Sequence, residues 1–244
     1  MNTYIWNSYS GRFGQLAVAR STLERRWLNW RLLWRRWLLR WLVGSGDLMK
    51  RASDVVGSIA FLLVFSPLYL VLALLVKLED RGPVFFSQTR TGRFGEEFQM
   101  YKFRSMRLNA EAEFGKLLAQ NQHAEGVTFK MKNDPRITRV GKWLRRFSLD
   151  ELPQFVNVLK GGMSLVGPRP PTPREVSRYS FADRRRLAVK PGLTCLWQVG
   201  GRSNIDFSGQ VKLDVQYIET AGFWVDIKIL IQTVRAVVAG TGAS

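Results

Sequence analysis

The sequence predicts an α+β protein that is mainly helical, a membrane-associated monotopic domain with a re-entrant helix hairpin, a small β-hairpin and several amphipathic helices. Three observations carry that prediction. A long uncharged run is interrupted at Ser66-Pro67, two strand-like stretches flank a glycine-containing turn, and helical periodicity covers most of the chain beyond residue 106. At 244 residues, 46% of them hydrophobic, the chain suffices for one sizeable domain with an appendage. We place an N-terminal extension at 1–46, the re-entrant segment at 47–80 and the main domain at 81–244.

Residues 1–20 lack the apolar core and small-residue cleavage site of a secretory signal peptide, so no export signal is predicted. From Ser21 to Val43 the chain reads STLERRWLNWRLLWRRWLLRWLV. Trp27, Trp30, Trp34, Trp37 and Trp41 recur at three- and four-residue spacing, which puts them on one narrow helix face, with arginines over much of the rest. Tryptophan favours the membrane–water interface, so we read an interfacial helix. A protein–protein face and a nucleic-acid-binding helix are the alternatives.

Val55–Val76 is a run of 22 residues without charge. As a straight helix it would reach roughly 33 Å, enough to span a bilayer. Ser66-Pro67 sits in its middle, however, and both flanks are basic: Lys50 and Arg51 before, Lys77 and Arg81 after. Basic residues prefer the cytoplasmic side, and a helix broken at Ser66-Pro67 that enters and returns on one face satisfies both flanks. The serine hydroxyl is then available to a backbone group that the proline frees. A kinked span and a buried core helix are the alternatives to this re-entrant hairpin.

VFFSQTR and FQMYKFRSM flank TGRFGEE as a β-hairpin. Helices are predicted at 107–121, 138–147, 150–159, 174–188, 207–220 and 223–239.

Lys plus Arg outnumber Asp plus Glu by 37 to 19, a formal net charge of +18 that calls for an anionic partner. Nucleic acid suits that charge, but the uncharged run and the Trp stripe suit a bilayer better. The single cysteine, Cys195, excludes an internal disulfide and a cysteine metal cluster. The single histidine, His123, lies in the polar run QNQHAEG and reads as a solvated loop residue, which argues against zinc.

Against this basic background SLDELPQF, Ser148–Phe155, sets Asp150 beside Glu151. A Ser148–Glu151 capping box would put Pro153 one turn inside a helix, at a cost of about 3 kcal/mol. With Asp150 as N-cap, Pro153 falls harmlessly in the first turn and both carboxylates stand at a helix N-terminus. Four stretches set arginine beside glycine or proline or near a strand end: KFRSM with Lys102 and Arg104, NDPRIT, SLVGPRP with Arg169, and PGLTCLWQVGGRS with Arg202. Arginine forks onto phosphate oxygens and glycine admits the backbone to an anion, so these stretches with the acidic pair suggest a phosphate diester or anhydride bound with a divalent cation. For Arg104 a surface arginine at a strand end is an equal reading.

LRRFSLDELPQFVNVLKGGMSLVGPRP, preceded by KFRSM and NDPRITRVGKWLR and followed by PGLTCLWQVGGRS, is similar to the bacterial sugar transferase family, the monotopic polyprenyl-phosphate phosphoglycosyl transferases. The resemblance runs from Lys50 to the end, and it extends to the apolar segment broken at Ser66-Pro67; the Trp/Arg helix lies outside it. Cys195 stands where relatives often carry glycine.

The resemblance implies that residues 81–244 are a catalytic domain on the cytoplasmic face of the bacterial inner membrane. There a nucleotide sugar, with uridine as the base, would give its sugar-1-phosphate to polyprenyl (undecaprenyl) phosphate. Matched to this chain, Asp150 is the nucleophile and Glu151 its partner, the two associated with Mg²⁺. Lys102, Arg104, Arg145, Arg169 and Arg202 would bind phosphate. Membrane lipid is the further partner, a homo-oligomer is compatible with this reading, and nucleic acid is not expected. The physical chemistry agrees: two carboxylates about 5 Å apart repel by roughly 3 kcal/mol at an effective dielectric near 20, and a bound cation reverses that sign. The competing readings are a non-enzymatic basic membrane adaptor and a metal-dependent glycosyltransferase that moves sugar alone.

Overall fold

The computed structural model describes residues 47–117, 131, 134–200 and 205–239 of a chain that divides into two compact units, Met1–Leu48 and Met49–Ser244. The extension at 1–46 with its predicted Trp/Arg helix, His123 and Arg202 lie outside the described residues.

Helix α1 (Asp47–Val64) meets α2 (Ser66–Asp80) at a 65° bend. Pro67 has no N–H for the Leu63 carbonyl four residues back, and the Ser66 hydroxyl donates to that carbonyl at 2.9 Å. That is the kind of partner the sequence anticipated for Ser66. No single described helix is long and apolar enough to cross a membrane, whereas the bent pair passes by length and composition together. Val56, Ile59, Leu63, Leu70, Val71 and Leu74 are exposed; Asp54, Ser58, Leu72 and Val76 are buried on the side toward the rest of the protein.

The basic flanks find partners within the protein. Lys50 donates to the Val166 carbonyl, the Tyr217 hydroxyl and Asp226 Oδ2, the last at 2.5 Å. Arg51 donates to the carbonyls of Val158 and Leu159 at 2.6 and 2.8 Å, and Lys77 closes the end of its own helix on the carbonyls of Arg81 and Gly82. Lys50 and Arg51 thereby satisfy part-buried carbonyls. With Asp54, which accepts from Leu165 N and Ser164 Oγ, they bolt α1 to the remainder of the chain.

Strands β1 (Phe85–Thr91) and β2 (Glu97–Phe103) form the predicted antiparallel hairpin, in register from Phe85 opposite Phe103 to Thr91 opposite Glu97. The outer edge of β2 is stitched to a helix by one side chain: Asn157 accepts from Tyr101 N at 2.9 Å and donates to the Gln99 carbonyl at 2.6 Å. That buried amide therefore fixes the distance between the hairpin and the helix that comes after the acidic pair.

The remaining helices are α3 (Ala110–Leu117), α4 (Arg139–Arg146), α5 (Gln154–Lys160), α6 (Pro173–Val176), α7 (Leu196–Gly200), α8 (Phe207–Thr220) and α9 (Phe223–Ala239). The last two match the predicted limits. The single helix predicted at 174–188 does not form. Asp183 accepts from Ser180 N and Oγ, Ser180 Oγ accepts from Asp183 N, and this reciprocal pair interrupts the helix just before the 3₁₀ turn at Asp183–Ala188. Unpredicted are α7 and a parallel pair, β3 (Ser164–Val166) with β4 (Gly192–Thr194). Gly167 and Gly192 lie against each other after β3 and at the start of β4, so closely that a Cβ on Gly192 would come within 2.0 Å of Gly167 N.

Two apolar clusters hold these elements. One contains Met100, Phe155, Val158, Met163, Tyr217 and Ile229, the other Leu72, Val76, Phe103 and Leu144, and Leu152 packs against both. Arg186 and Asp214 form a buried ion pair at 2.6 Å, with Arg186 over the rings of Tyr179 and Phe207 at 5.7 Å. It joins the Asp183–Ala188 turn to α8.

Candidate active site

The acidic pair is held by its neighbours from both sides. Ser148 adopts the left-handed conformation at φ 54°, and Leu149–Glu151 form a 3₁₀ turn in which Glu151 N donates to the Ser148 carbonyl. Leu152 is gripped by both cores, and its carbonyl accepts from the Tyr69 hydroxyl of α2 at 2.5 Å. Pro153, without an N–H, then opens α5. Neither capping arrangement considered from the sequence occurs: the Ser148 side chain caps nothing, and Pro153, not Asp150, is the N-cap. With no helix end to cap, both carboxylates face other partners.

The shared partner is Lys102 on β2, whose Nζ lies 2.7 Å from Glu151 Oε1 and 3.7 Å from Asp150 Oδ2. Burial pushes the Asp150 carboxyl above the ordinary aspartate range, with Lys102 acting against it and Glu151 with it. Burial acts in the same direction on Glu151, but Lys102, Arg169 and Arg90 together hold Glu151 below its usual value. The two carboxyls are thus pushed in opposite directions, Asp150 up by burial and Glu151 down by the surrounding cations. Glu151 lines a cleft together with Arg90, Lys102, Gln154, Arg169 and Gln198; Asp150 is buried at 5% exposure and does not line it.

Each cation reaches the site by its own route. Arg145, in the last turn of α4, donates through Nε to Ser105 Oγ, and its charge lowers the Asp150 pKa. Arg169 follows Gly167-Pro168, a loop clasped to β4 by Gly192 N on the Pro168 carbonyl at 2.9 Å and Gly167 N on the Thr194 carbonyl at 3.0 Å. Arg104 is buried and paired with Asp80 at the end of α2, and it is absent from the cleft lining. Its burial corrects the reading of Arg104 as a surface residue: an arginine buried at a strand end takes the nearest carboxylate. Arg90 escaped the sequence reading. It is buried on β1, its Nη1 donates to the Pro170 carbonyl and its Nη2 to Gln88 Oε1, and burial and the neighbouring Arg169 lower it to about 10. No local motif marks it, since its partner is 80 residues away. Cys195 is buried, donating to Gln198 Oε1, and burial pushes its thiol up.

Among the described residues no group of three or more Asp, Glu, His or Cys side chains gathers as a metal site. Two adjacent carboxylates, with Lys102 partly neutralising them, do not make an all-protein cage. They do fit Mg²⁺ held by one or two carboxylates with the remaining ligands from substrate phosphate and water.

An acidic pair with Lys102, Arg90, Arg145 and Arg169 about it, on a basic, mainly helical α+β body, defines a protein equipped to hold a multiply charged anion against carboxylates. The chain belongs to the bacterial sugar transferase family, whose model matches residues 45–240. It is 52% identical over 195 residues to the galactosyl transferase CpsE of Streptococcus agalactiae serotype III (strain NEM316), covering 80% of this chain and 43% of that one. It is 45% identical over 202 residues to the undecaprenyl-phosphate galactose phosphotransferase of Salmonella typhimurium (strain LT2), covering 82% and 42%. With the exopolysaccharide production protein ExoY of Rhizobium meliloti (strain 1021) it shares 39% over 201 residues, covering 81% and 89%. The chain therefore spans less than half the length of the first two relatives and most of the third.

Proposed function

We propose that this protein is a phosphoglycosyl transferase that moves a sugar-1-phosphate from a UDP-sugar to undecaprenyl phosphate, releasing UMP, at the start of bacterial polysaccharide or glycan assembly. The observation that carries the reading is the acidic pair sharing Lys102 at 2.7 and 3.7 Å, with Arg90 and Arg169 in the cleft that Glu151 lines. Family membership and the similarity to the undecaprenyl-phosphate galactose phosphotransferase of Salmonella support it.

In the first step an Asp150 carboxylate oxygen attacks the sugar-bearing phosphorus. The P–O bond to UMP breaks, UMP leaves with the electron pair, and an aspartyl phosphosugar remains. In the second, an oxygen of undecaprenyl phosphate attacks the same phosphorus and the Asp150 carboxylate is regenerated. Neither step requires a proton from the enzyme, which suits a chain whose one histidine lies outside the site's motifs. Asp150 is taken as nucleophile from its match to the family motif, and Arg145, Arg169, Arg90 and Lys102 would balance phosphate charge. Glu151 and Asp150 would hold Mg²⁺, which when bound supplies neutralisation of the pyrophosphate oxygens.

The test is donor chemistry. Purified protein given UDP-sugars, undecaprenyl phosphate and Mg²⁺ is expected to release UMP, and release of UDP would establish sugar transfer alone. That contrast also separates the phosphotransferase named in Salmonella from the galactosyl transferase named in Streptococcus. Absence of turnover with every donor would favour the non-enzymatic membrane adaptor.

The exposed apolar face of the bent α1–α2 pair supports insertion into the inner membrane from the cytoplasmic side, with both flanks on that side. Cysteines introduced singly as Asp47→Cys and Glu96→Cys, both at exposed positions, are expected to resist an impermeant maleimide in intact cells and to label after permeabilisation. Cys195, at 1% exposure, should stay silent. Labelling of only one introduced cysteine in intact cells would establish a true span.

A further inference from the structure

Gln154 is the first residue of α5, three positions after Glu151, and only 3% of it is exposed. It lines the same cleft as Glu151. A buried carboxamide ordinarily finds partners for its oxygen and its NH₂, because leaving them unpaired is costly. Around the cleft Arg90 donates through Nη1 and Nη2 to the Pro170 carbonyl and Gln88 while its buried Nε stays unpaired, Lys102 donates to Glu151, and Gln198 accepts from the Cys195 thiol. The Gln154 carboxamide has no hydrogen bond among the described residues, and neither has the Arg169 guanidinium. A guanidinium and a buried amide left free in one cleft, beside a carboxylate held ionised by surrounding cations, present donors to an anion that approaches the acidic pair.

We infer that Gln154 is a further substrate-contacting residue, its carboxamide NH₂ donating, alongside Arg169, to a nonbridging oxygen of the phosphoryl group that is transferred. The inference rests on the phosphoglycosyl transferase reading and assigns a role to a residue which that reading leaves idle. The amide is reachable from the cleft, where an approaching phosphoryl oxygen can take it as a donor.

Two variants of the full chain test it, each measured for melting temperature without ligand, for the shift in melting temperature with UDP-galactose or UDP-glucose, and for UMP release. Gln154→Leu is expected to keep or raise the ligand-free melting temperature while losing the ligand-induced shift and on the order of a hundredfold in kcat/KM. Gln154→Glu keeps the size and an acceptor oxygen but sets a carboxylate against the phosphoryl oxygens, so it should fall below Gln154→Leu. Wild-type kinetics in Gln154→Leu would overturn the inference, as would a lowered ligand-free melting temperature, which would mark the amide as structural. Activity retained in Gln154→Glu would overturn the donor role in favour of an acceptor for a sugar hydroxyl. If the wild-type protein itself neither shifts nor releases UMP with either nucleotide sugar, the functional reading falls, and this inference with it.

Discussion

Asp150→Asn is expected to leave a folded protein that neither releases UMP nor gains the mass of a sugar phosphate. Asparagine preserves the shape of the side chain, and Lys102 keeps its closer partner, Glu151 at 2.7 Å, so the turn around the pair should persist. Burial already disfavours the Asp150 charge, so its removal should not lower the melting temperature. The reaction loses its nucleophile, however, and turnover should fall by a factor of ~10⁴ or more. Glu151→Gln removes the carboxylate that lines the cleft and would hold Mg²⁺, and it should slow adduct formation and weaken Mg²⁺ dependence without abolishing the reaction. Wild-type protein incubated with its donor and Mg²⁺, in the absence of lipid, should release UMP in a burst and carry the added mass on the peptide containing Asp150. Undecaprenyl phosphate should then discharge it. Full activity in Asp150→Asn, or an adduct on another residue, would end the assignment.

Arg186→Met is expected to lower the melting temperature by about 6–20 °C at pH 8. Removing one partner of a buried ion pair costs about 3–5 kcal/mol, because the other charge is left without compensation, and a body of this size loses about 2–4 °C per kcal/mol. The sign of the pH dependence comes from Asp214. Burial raises its pKa to about 6 even against Arg186, so the folded protein binds that proton more tightly than the unfolded chain. The associated stabilisation is complete below the ordinary aspartate pKa and is lost as pH rises through about 6. Without Arg186 the folded pKa climbs further, so the deficit of the variant should shrink between pH 8 and pH 5 as the carboxyl takes up its proton. Arg186→Met combined with Asp214→Leu should recover much of the loss, since an apolar pair replaces an ionic one with little net cost. A deficit independent of pH, or a double variant no better than the single one, would contradict this account.

Several features were legible because they depend on neighbours in the chain. The break at Ser66-Pro67 comes from a missing N–H and a hydroxyl one residue earlier, and the carbonyl that the proline frees, that of Leu63, is the one Ser66 meets. The β-hairpin and the helices at 207–220 and 223–239 arise from alternation and helical period over a few turns. The acidic pair stood out by its sequence alone, as did the stretches holding Lys102 and Arg169, whereas Arg145 entered through the family resemblance. The helix break at Ser180–Asp183 was local too, but the reciprocal serine–aspartate pair was hidden by a periodic charge pattern on either side.

Order along the chain thus dictates the local conformations, the basic character and the adjacency of the two carboxylates, since each of these is set by the residues themselves or by neighbours within a turn or two. Where the charges are engaged is a matter of long-range packing. Lys50 meets Asp226 across 176 positions, Arg90 meets the Pro170 carbonyl across 80, and Arg104 takes Asp80 instead of facing the cleft. Packing also forms the three-residue strands around Gly167 and Gly192, too short for any period to show. The cause is competition for partners on burial. Every cation and carbonyl withdrawn from water must be satisfied by whatever group packing brings within about 3 Å, and that group is chosen by the fold of the whole chain.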